Sequence, residues 1–301
     1  MSKPFPAARK RRRSIRGRAA WAASFLALAG CTPAGLLTGL DRVASGAESR
    51  RVASGLAYGR EPRQQLDVWA PRRGGGAPLP VVIFFYGGGW DQGARGDYGF
   101  AGAAFAGRGF IAIVPDYRLV PAVRFPAFVE DGALAVRWAR DNAARFGGDP
   151  RRITLAGHSA GAYNAAMLAL DTRFLQRAGV DPKIVKAAAL LSGPYDFYPF
   201  TEPRGRNAFG AWAQPLQTQP ITFARCDAPP LFLAHGSADT IVLPRNSRAL
   251  AKRLGELGAP VSLRIYPGAS HVDLAVSLSR PFRARTPALA ESSAFLLRHS
   301  R

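Results

Sequence analysis

From Gln65 onward, apolar runs alternate with longer stretches of helical character. Leu66–Trp69 alternates apolar and polar positions, as a surface strand does. Val81–Tyr86 and Phe110–Val114 are continuous apolar runs, the pattern of parallel strands buried on both faces. Ile153–Ala156, Ala187–Leu191, Leu231–Ala234 and Val261–Tyr266 supply four more short strands. Between them, Pro126–Phe146, Ala160–Leu170, Arg245–Leu257 and Pro287–His299 read as helices. Arg72–Pro78, rich in glycine, reads as a turn. Strand and helix in alternation demand right-handed crossovers and a mostly parallel sheet with helices on both faces. The expected class is α/β.

One stretch breaks the alternation. Residues 193–230 are rich in proline and aromatics, among them Tyr195, Phe197, Tyr198, Phe200, Phe209 and Trp212. An insertion after the C-terminal end of a strand can roof the ligand crevice of an open α/β sheet. A small cap segment is expected here, against the alternative of a surface loop packed by its own aromatics.

The chain has 301 residues and a formal charge of +21, from 41 basic and 20 acidic side chains. That excess first suggests nucleic acid or an anionic membrane as partner. Its distribution alters the picture. Residues 1–31 carry Lys3, Arg9, Lys10, Arg11, Arg12, Arg13, Arg16 and Arg18 and no acid, so the remainder is +13 (33 basic against 20 acidic). The basic run leads into Ala19–Ala29, an apolar stretch of 11 residues. A bilayer-spanning helix needs about 20. A basic region, a short apolar region and small residues together form a secretory signal. The stretch ends in Leu28-Ala29-Gly30-Cys31, which resembles the lipobox of bacterial lipoproteins. The expectation is a lipoprotein signal peptide over 1–30, lipid on Cys31 and export to a membrane-anchored position. A soluble periplasmic or secreted protein, and an uncleaved helix with Cys31 an ordinary residue, are the alternatives. Residues 31–60 lack clear periodicity and read as a tether, with the folded domain over 61–301. No nucleic-acid motif accompanies the scattered arginines. Cys31 and Cys226 are too few for a disulfide framework or a cysteine-rich metal site.

The chemistry concentrates at Gly157-His158-Ser159-Ala160-Gly161, between a strand and a helix. This is G-x-S-x-G in its meaningful context, a sharp turn that lifts a serine above the sheet edge. A serine hydroxyl needs a base, and the base an orienting acid. Three histidines follow Ser159: His235, His271 and His299. His299 sits in the last helix, three residues from the end of the sequence, and is expected to be solvated. His235 ends a strand, where a buried histidine bonded to backbone is the commoner role. His271 follows the last strand and a loop, so it is assigned as the base. Asp239, just past the preceding strand, is assigned as the acid, with Asp196 as competitor. An oxyanion needs backbone donors. Tyr86-Gly87-Gly88-Gly89-Trp90 follows a strand, and Gly88, Gly89 and Ala160 are the expected donors, with Gly87 shaping the turn.

Together, Tyr86–Trp90, Pro115–Leu119, Gly157–Gly161, His235–Asp239 and His271 resemble the α/β-hydrolase superfamily over roughly residues 65–300. The likeness is to the branch holding hormone-sensitive lipase and the dienelactone-hydrolase/feruloyl-esterase-like domains. Tyr86 departs from the histidine usual before the glycines. The resemblance implies an α/β-hydrolase fold and hydrolysis of a small-molecule ester by Ser159, His271 and Asp239. It implies no cofactor and no metal, and structural roles for Asp116 and Arg118. An arylformamidase-like amidase, a peptidase and a non-catalytic membrane-tethered binding module are the other readings.

Overall fold

The structure, a computed structural model, describes Met1 and residues 35–39, 48–73 and 76–301. The expected signal peptide over 1–30 and Cys31 lie outside the described residues.

Eight strands form one sheet: β1 (Ser49–Ala57), β2 (Gln65–Pro71), β3 (Leu79–Phe85), β4 (Ile111–Pro115), β5 (Gly148–His158), β6 (Val185–Leu191), β7 (Leu231–Gly236) and β8 (Val261–Tyr266). Their spatial order is β1-β2-β4-β3-β5-β6-β7-β8. The first two pairings are antiparallel, and every pairing from β4 to β8 is parallel. The sheet is the mostly parallel one the alternation predicts, and it has the α/β-hydrolase fold. Val81–Phe85 is wholly buried because helices cover both faces.

The helices are α1 (Gly99–Ala106), α2 (Ala127–Asn142), α3 (Ala160–Leu170), α4 (Thr172–Arg177), α5 (Pro203–Phe209), α6 (Arg245–Glu256), α7 (His271–Val276) and α8 (Ala288–His299). Helices α1 and α8 pack together on one face, and α2 and α3 together on the other. Helix α1 (GFAGAAFA) is buried all round, so it has no polar stripe for a periodicity reading to find. Its glycines admit the ring of Trp69: a Cβ on Gly102 would meet the indole at 2.4 Å.

The tether expected over 31–60 needs correction. Ser49–Ala57 is an edge strand paired with β2, and residues 35–39 form a helical turn. The folded domain therefore begins before residue 61. Two register shifts, at Arg51/Ala53 and Ala53/Leu56, break the alternation of β1 and hide it in the sequence. His299 is also not fully solvated: its ring lies 4.5 Å from that of Phe295.

Three aspartates hold the loops behind the site. Asp67 accepts from Arg51, Arg95, Ser54 and the Gly55 N–H. Asp116 accepts from the Tyr86 hydroxyl at 2.9 Å and the Arg95 N–H at 2.7 Å, and pairs with the Arg95 guanidinium. Asp131, fully buried, accepts from the Arg118 N–H at 2.8 Å, from its guanidinium and from Gln64 at 2.7 Å. Asp116 and Arg118 thus have the structural roles expected of them, and part of the positive charge serves to neutralise buried carboxylates. Removing one partner of such a pair strands the other charge. We expect Asp131→Ala to destabilise the fold by about 3 kcal/mol, read as a lower midpoint in urea unfolding.

Candidate active site

Strand β5 ends at His158 and helix α3 begins at Ala160, so Ser159 alone makes the turn. Its φ of 55° and ψ of −122° are unfavourable for a side chain bearing Cβ. Close packing of the neighbouring backbone fixes it there. A Cβ on Gly157 would lie 2.4 Å from the Gly161 carbonyl oxygen, and one on Gly161 would lie 2.0 Å from that of Phe85. Only glycine fits either flank.

Ser159, His271 and Asp239 form one hydrogen-bonded chain. The Ser159 hydroxyl lies 2.9 Å from His271 Nε2, and His271 Nδ1 lies 2.7 Å from Asp239 Oδ2. Since the carboxylate only accepts, Nδ1 carries the ring proton and Nε2 faces the serine as acceptor. His271 opens α7 behind a capping box: Ser270 Oγ accepts from the Asp273 N–H, and Asp273 accepts from the Ser270 N–H at 2.9 Å. The sequence Ser270-His-Val-Asp273 carries this signal, so a helix start, and not only a loop, was legible at His271. Asp196 takes no part in the chain. Its N–H and that of Tyr195 are both held by Asn246 Oδ1 at 2.9 Å.

Asp239 is held from several sides. Oδ1 accepts the N–H groups of Ile241 and Val242, and Oδ2 lies 3.1 Å from His235 Nε2 as well as beside His271. Burial alone would raise the carboxyl; hydrogen bonds from His235 and His271 override that and hold it well below the usual carboxylate range. His235 is fully buried, as a strand-end histidine was expected to be. Its Nε2 also donates to the Val242 carbonyl at 2.7 Å, and its Nδ1 meets the Ser247 hydroxyl at 2.7 Å.

His158, the variable residue of the motif, donates from Nε2 to the His271 carbonyl at 3.0 Å. No sequence signal announced that contact. Burial, then the nearby His271, pushes its pKa down to about 3, so the ring is neutral.

Facing Ser159 is the turn after β3. Gly88 and Gly89 have φ of 132° and 60°. These two glycines, and not Gly87 as expected, adopt the left-handed conformations that shape the turn. Gly87 serves close approach: a Cβ there would lie 3.1 Å from that of Ser159. The backbone bonds of the turn run into the Gly88 carbonyl, leaving the Gly88 and Gly89 N–H groups out of it. Ala160 opens α3, where an N–H has no intrahelical acceptor. Tyr86, standing where the resembled family has histidine, bonds Asp116 and receives Arg63 at 2.9 Å, while its carbonyl accepts from the Tyr117 hydroxyl at 2.8 Å. The glycine turn is thus braced by a phenol and an arginine.

Ser159 and His271 open into a cavity of about 1090 Å³. Residues 194–205 form one wall, with Phe197 and Phe200 at the site, and Thr240–Leu243 another. Behind the wall, the Phe209 ring meets Trp90 edge-on at 4.8 Å and Phe197 at 5.3 Å. The latter half of the insertion, through Pro220–Phe223, lies against α3. Among the described residues there is no cluster of side chains able to hold a metal ion.

The BD-FAE family model matches residues 66–254. Esterase LipC of Mycobacterium tuberculosis is 32% identical over 236 residues, 72% of this chain and 58% of the relative. The isoprenylcysteine alpha-carbonyl methylesterase ICME of Arabidopsis thaliana is 30% identical over 276 residues, 84% of this chain and 64% of the relative. The chain spans less than two thirds of the length of these curated relatives. Among solved structures, the apo form of Thermogutta terrifontis esterase 2 superposes with a TM-score of 0.68 at 26% identity, covering 84% of this chain and 94% of that one. A truncated carbohydrate esterase from gut microbiota shares the fold, at a TM-score of 0.70 and 20% identity over 84% of this chain and 97% of its own. The family match takes in the Ser159 turn, the glycine turn and Asp239, and the chain belongs to the BD-FAE family.

Proposed function

We propose that the protein is a serine carboxylic ester hydrolase acting on small esters with a short acyl or aryl group. The observation that carries this is the unbroken hydrogen-bonded chain from Ser159 through His271 to Asp239, opening into an aromatic-walled cavity. Relatives named as esterases support the same chemistry.

In the first half-reaction, the Ser159 hydroxyl attacks the ester carbonyl as its proton passes to His271 Nε2. Asp239 orients the imidazole and balances the charge it gains. The carbonyl oxygen, now negative, takes hydrogen bonds from the N–H groups of Gly88, Gly89 and Ala160. Collapse of the tetrahedral adduct expels the alcohol, which takes the proton from His271. Water, deprotonated by the same nitrogen, then attacks the acyl-serine, and the acid leaves with Ser159 restored. His158 suits this cycle by staying neutral: its ring centre lies 4.8 Å from that of His271, and a second cation there would oppose the imidazolium.

We further propose that the chain is exported and held at a membrane by lipid on Cys31. The residues Leu28-Ala29-Gly30-Cys31 after a basic and then apolar stretch support this.

Ser159→Ala should lower kcat on p-nitrophenyl butyrate by at least about 1000-fold with a folded protein, and unchanged turnover would exclude the mechanism. A series of p-nitrophenyl esters beside aryl formamides should give turnover concentrated on the short esters; faster formamide cleavage would make the protein an amidase. For the anchor, radiolabelled palmitate should enter the wild type and not Cys31→Ala.

The buried histidine also sets a pH dependence. Its folded pKa of about 3 lies below the ordinary value of 6.5, so the unfolded chain binds the proton more readily between those values. Stability is therefore lost as pH falls through that window. Asp239, depressed in the folded state, adds stability that is present above about pH 4 and lost below it. The drop in urea midpoint from pH 7 to pH 4 should be smaller in His158→Gln than in the wild type.

A further inference from the structure

Among the described residues, six large apolar side chains besides Met1 stand strongly exposed, and five gather at one place. Ile241 (67% exposed), Val272 (54%), Leu243 (49%) and Tyr198 (46%) line the mouth of the Ser159 cavity. Leu36 (41%) adjoins Leu37, which lines the same mouth. Scattered exposed apolar residues need no explanation, but a cluster rimming a cavity marks a surface that something covers.

We propose that this rim docks on an anionic phospholipid surface, with the cavity mouth against the lipid and ester substrate entering from it. This rests on the reading of the cavity as an ester-hydrolase site and narrows the substrate class to short-acyl or aryl esters whose alcohol part is apolar enough to partition into lipid.

Three observations favour a lipid surface over a protein. The first is where the chain enters the domain. Thr38 donates to the Asp97 carbonyl at 2.6 Å and accepts from the Phe100 N–H, pinning residues 35–39 beside the mouth. The apolar stretch Ala19–Ala29, its basic flank and Cys31 precede that turn in the sequence. Cys31 is four residues before Gly35, a reach of at most roughly 14 Å. Whatever apolar group that segment offers a membrane is therefore tied to the same edge of the domain.

The second is charge. Beyond residue 31 the chain is +13 (33 basic against 20 acidic). Arg245 and Arg248, exposed on the first turn of α6 beside Leu243, form no ion pair among the described residues. Apolar side chains beside two free arginines, with Glu202 the one acidic residue lining the mouth, suit an interface of acyl chains and anionic headgroups.

The third is access. The rim residues are also walls of the cavity, so a protein seated on them would stopper it, whereas a lipid surface supplies what it takes in.

The test uses the full chain with vesicles of equal parts phosphatidylcholine and phosphatidylglycerol. Backbone hydrogen exchange should slow at residues 240–243 and 272–276 by at least about 5-fold when vesicles are added. Exchange at 148–152, at the end of β5 away from Ser159, should not change. Ile241→Asp combined with Leu243→Asp should weaken vesicle partitioning by at least about 10-fold, with folding checked by circular dichroism. Ser159→Ala should partition as the wild type does, which separates docking from hydrolysis: loss of the esterase reading leaves this result untouched. Unchanged partitioning of the double variant would assign binding to the N-terminal segment alone and overturn the proposal. So would protection at 148–152, or protection at the rim that grows with protein concentration without vesicles, which would mark a second copy. If the double variant fails to fold, the exchange pattern of the wild type decides alone.

Discussion

A serine that must stand at φ 55° between a buried strand and a buried helix is the constraint on which the site depends. The conformation is unfavourable by itself, so the surrounding backbone has to enforce it. It does so by contact: β5 and α3 meet β3 so tightly that neither Gly157 nor Gly161 has room for a Cβ. That approach in turn requires β5 to lie beside β3, although β4 comes between them in sequence. The order of the strands and the posture of one serine are therefore linked. The same adjacency brings the glycine turn after β3 to the front of Ser159, so the nucleophile and the N–H groups proposed to receive negative charge come from neighbouring strands.

Around that turn, buried polar groups are arranged in tiers. Asp239 touches His271, His235 holds Asp239, and Ser247 holds His235. On another side, His158 fixes the backbone of His271. Each tier restricts the group before it, and a hydrogen bond inside a low-dielectric interior is worth more than one in water. Behind the glycine turn, Tyr86, Arg63, Asp116 and Arg95 form a second network that ties the turn to β2 and β4. Arginine suits this work because its planar fork reaches several acceptors at once and stays charged when half-buried. Part of the chain's positive charge is thus internal architecture. Among the described residues, Arg245 and Arg248 lie outside it, beside the exposed apolar side chains of the cavity mouth.

The insertion after β6 illustrates how one segment serves two ends. Its first half lines the cavity with Phe197 and Phe200, and Phe209 closes the packing behind. Its second half returns to the body of the domain through Pro220–Phe223 and the bond from the Tyr163 hydroxyl to Thr218. The aromatics of the insertion that pack on one another, Phe197, Phe200 and Phe209, all lie in the half that borders the cavity.

What the sequence determined by itself was whatever is local. Continuous apolar runs gave the buried strands, because a strand covered on both faces has no polar side to alternate with. The Gly157–Gly161 motif and the chain order of Ser159, Asp239 and His271 gave the residues that the fold brings into one hydrogen-bonded chain. Local pattern failed where burial or irregularity erases it. Helix α1 is apolar all round, and the register shifts of β1 disguise an edge strand as a tether. The tertiary structure alone decided the contacts between residues far apart in sequence. His158 reaches the carbonyl of a residue 113 positions later, and Asn246 takes the N–H groups of Tyr195 and Asp196, about 50 positions earlier. A hydrogen bond depends on where two atoms lie, and for distant residues that is fixed only when the sheet closes.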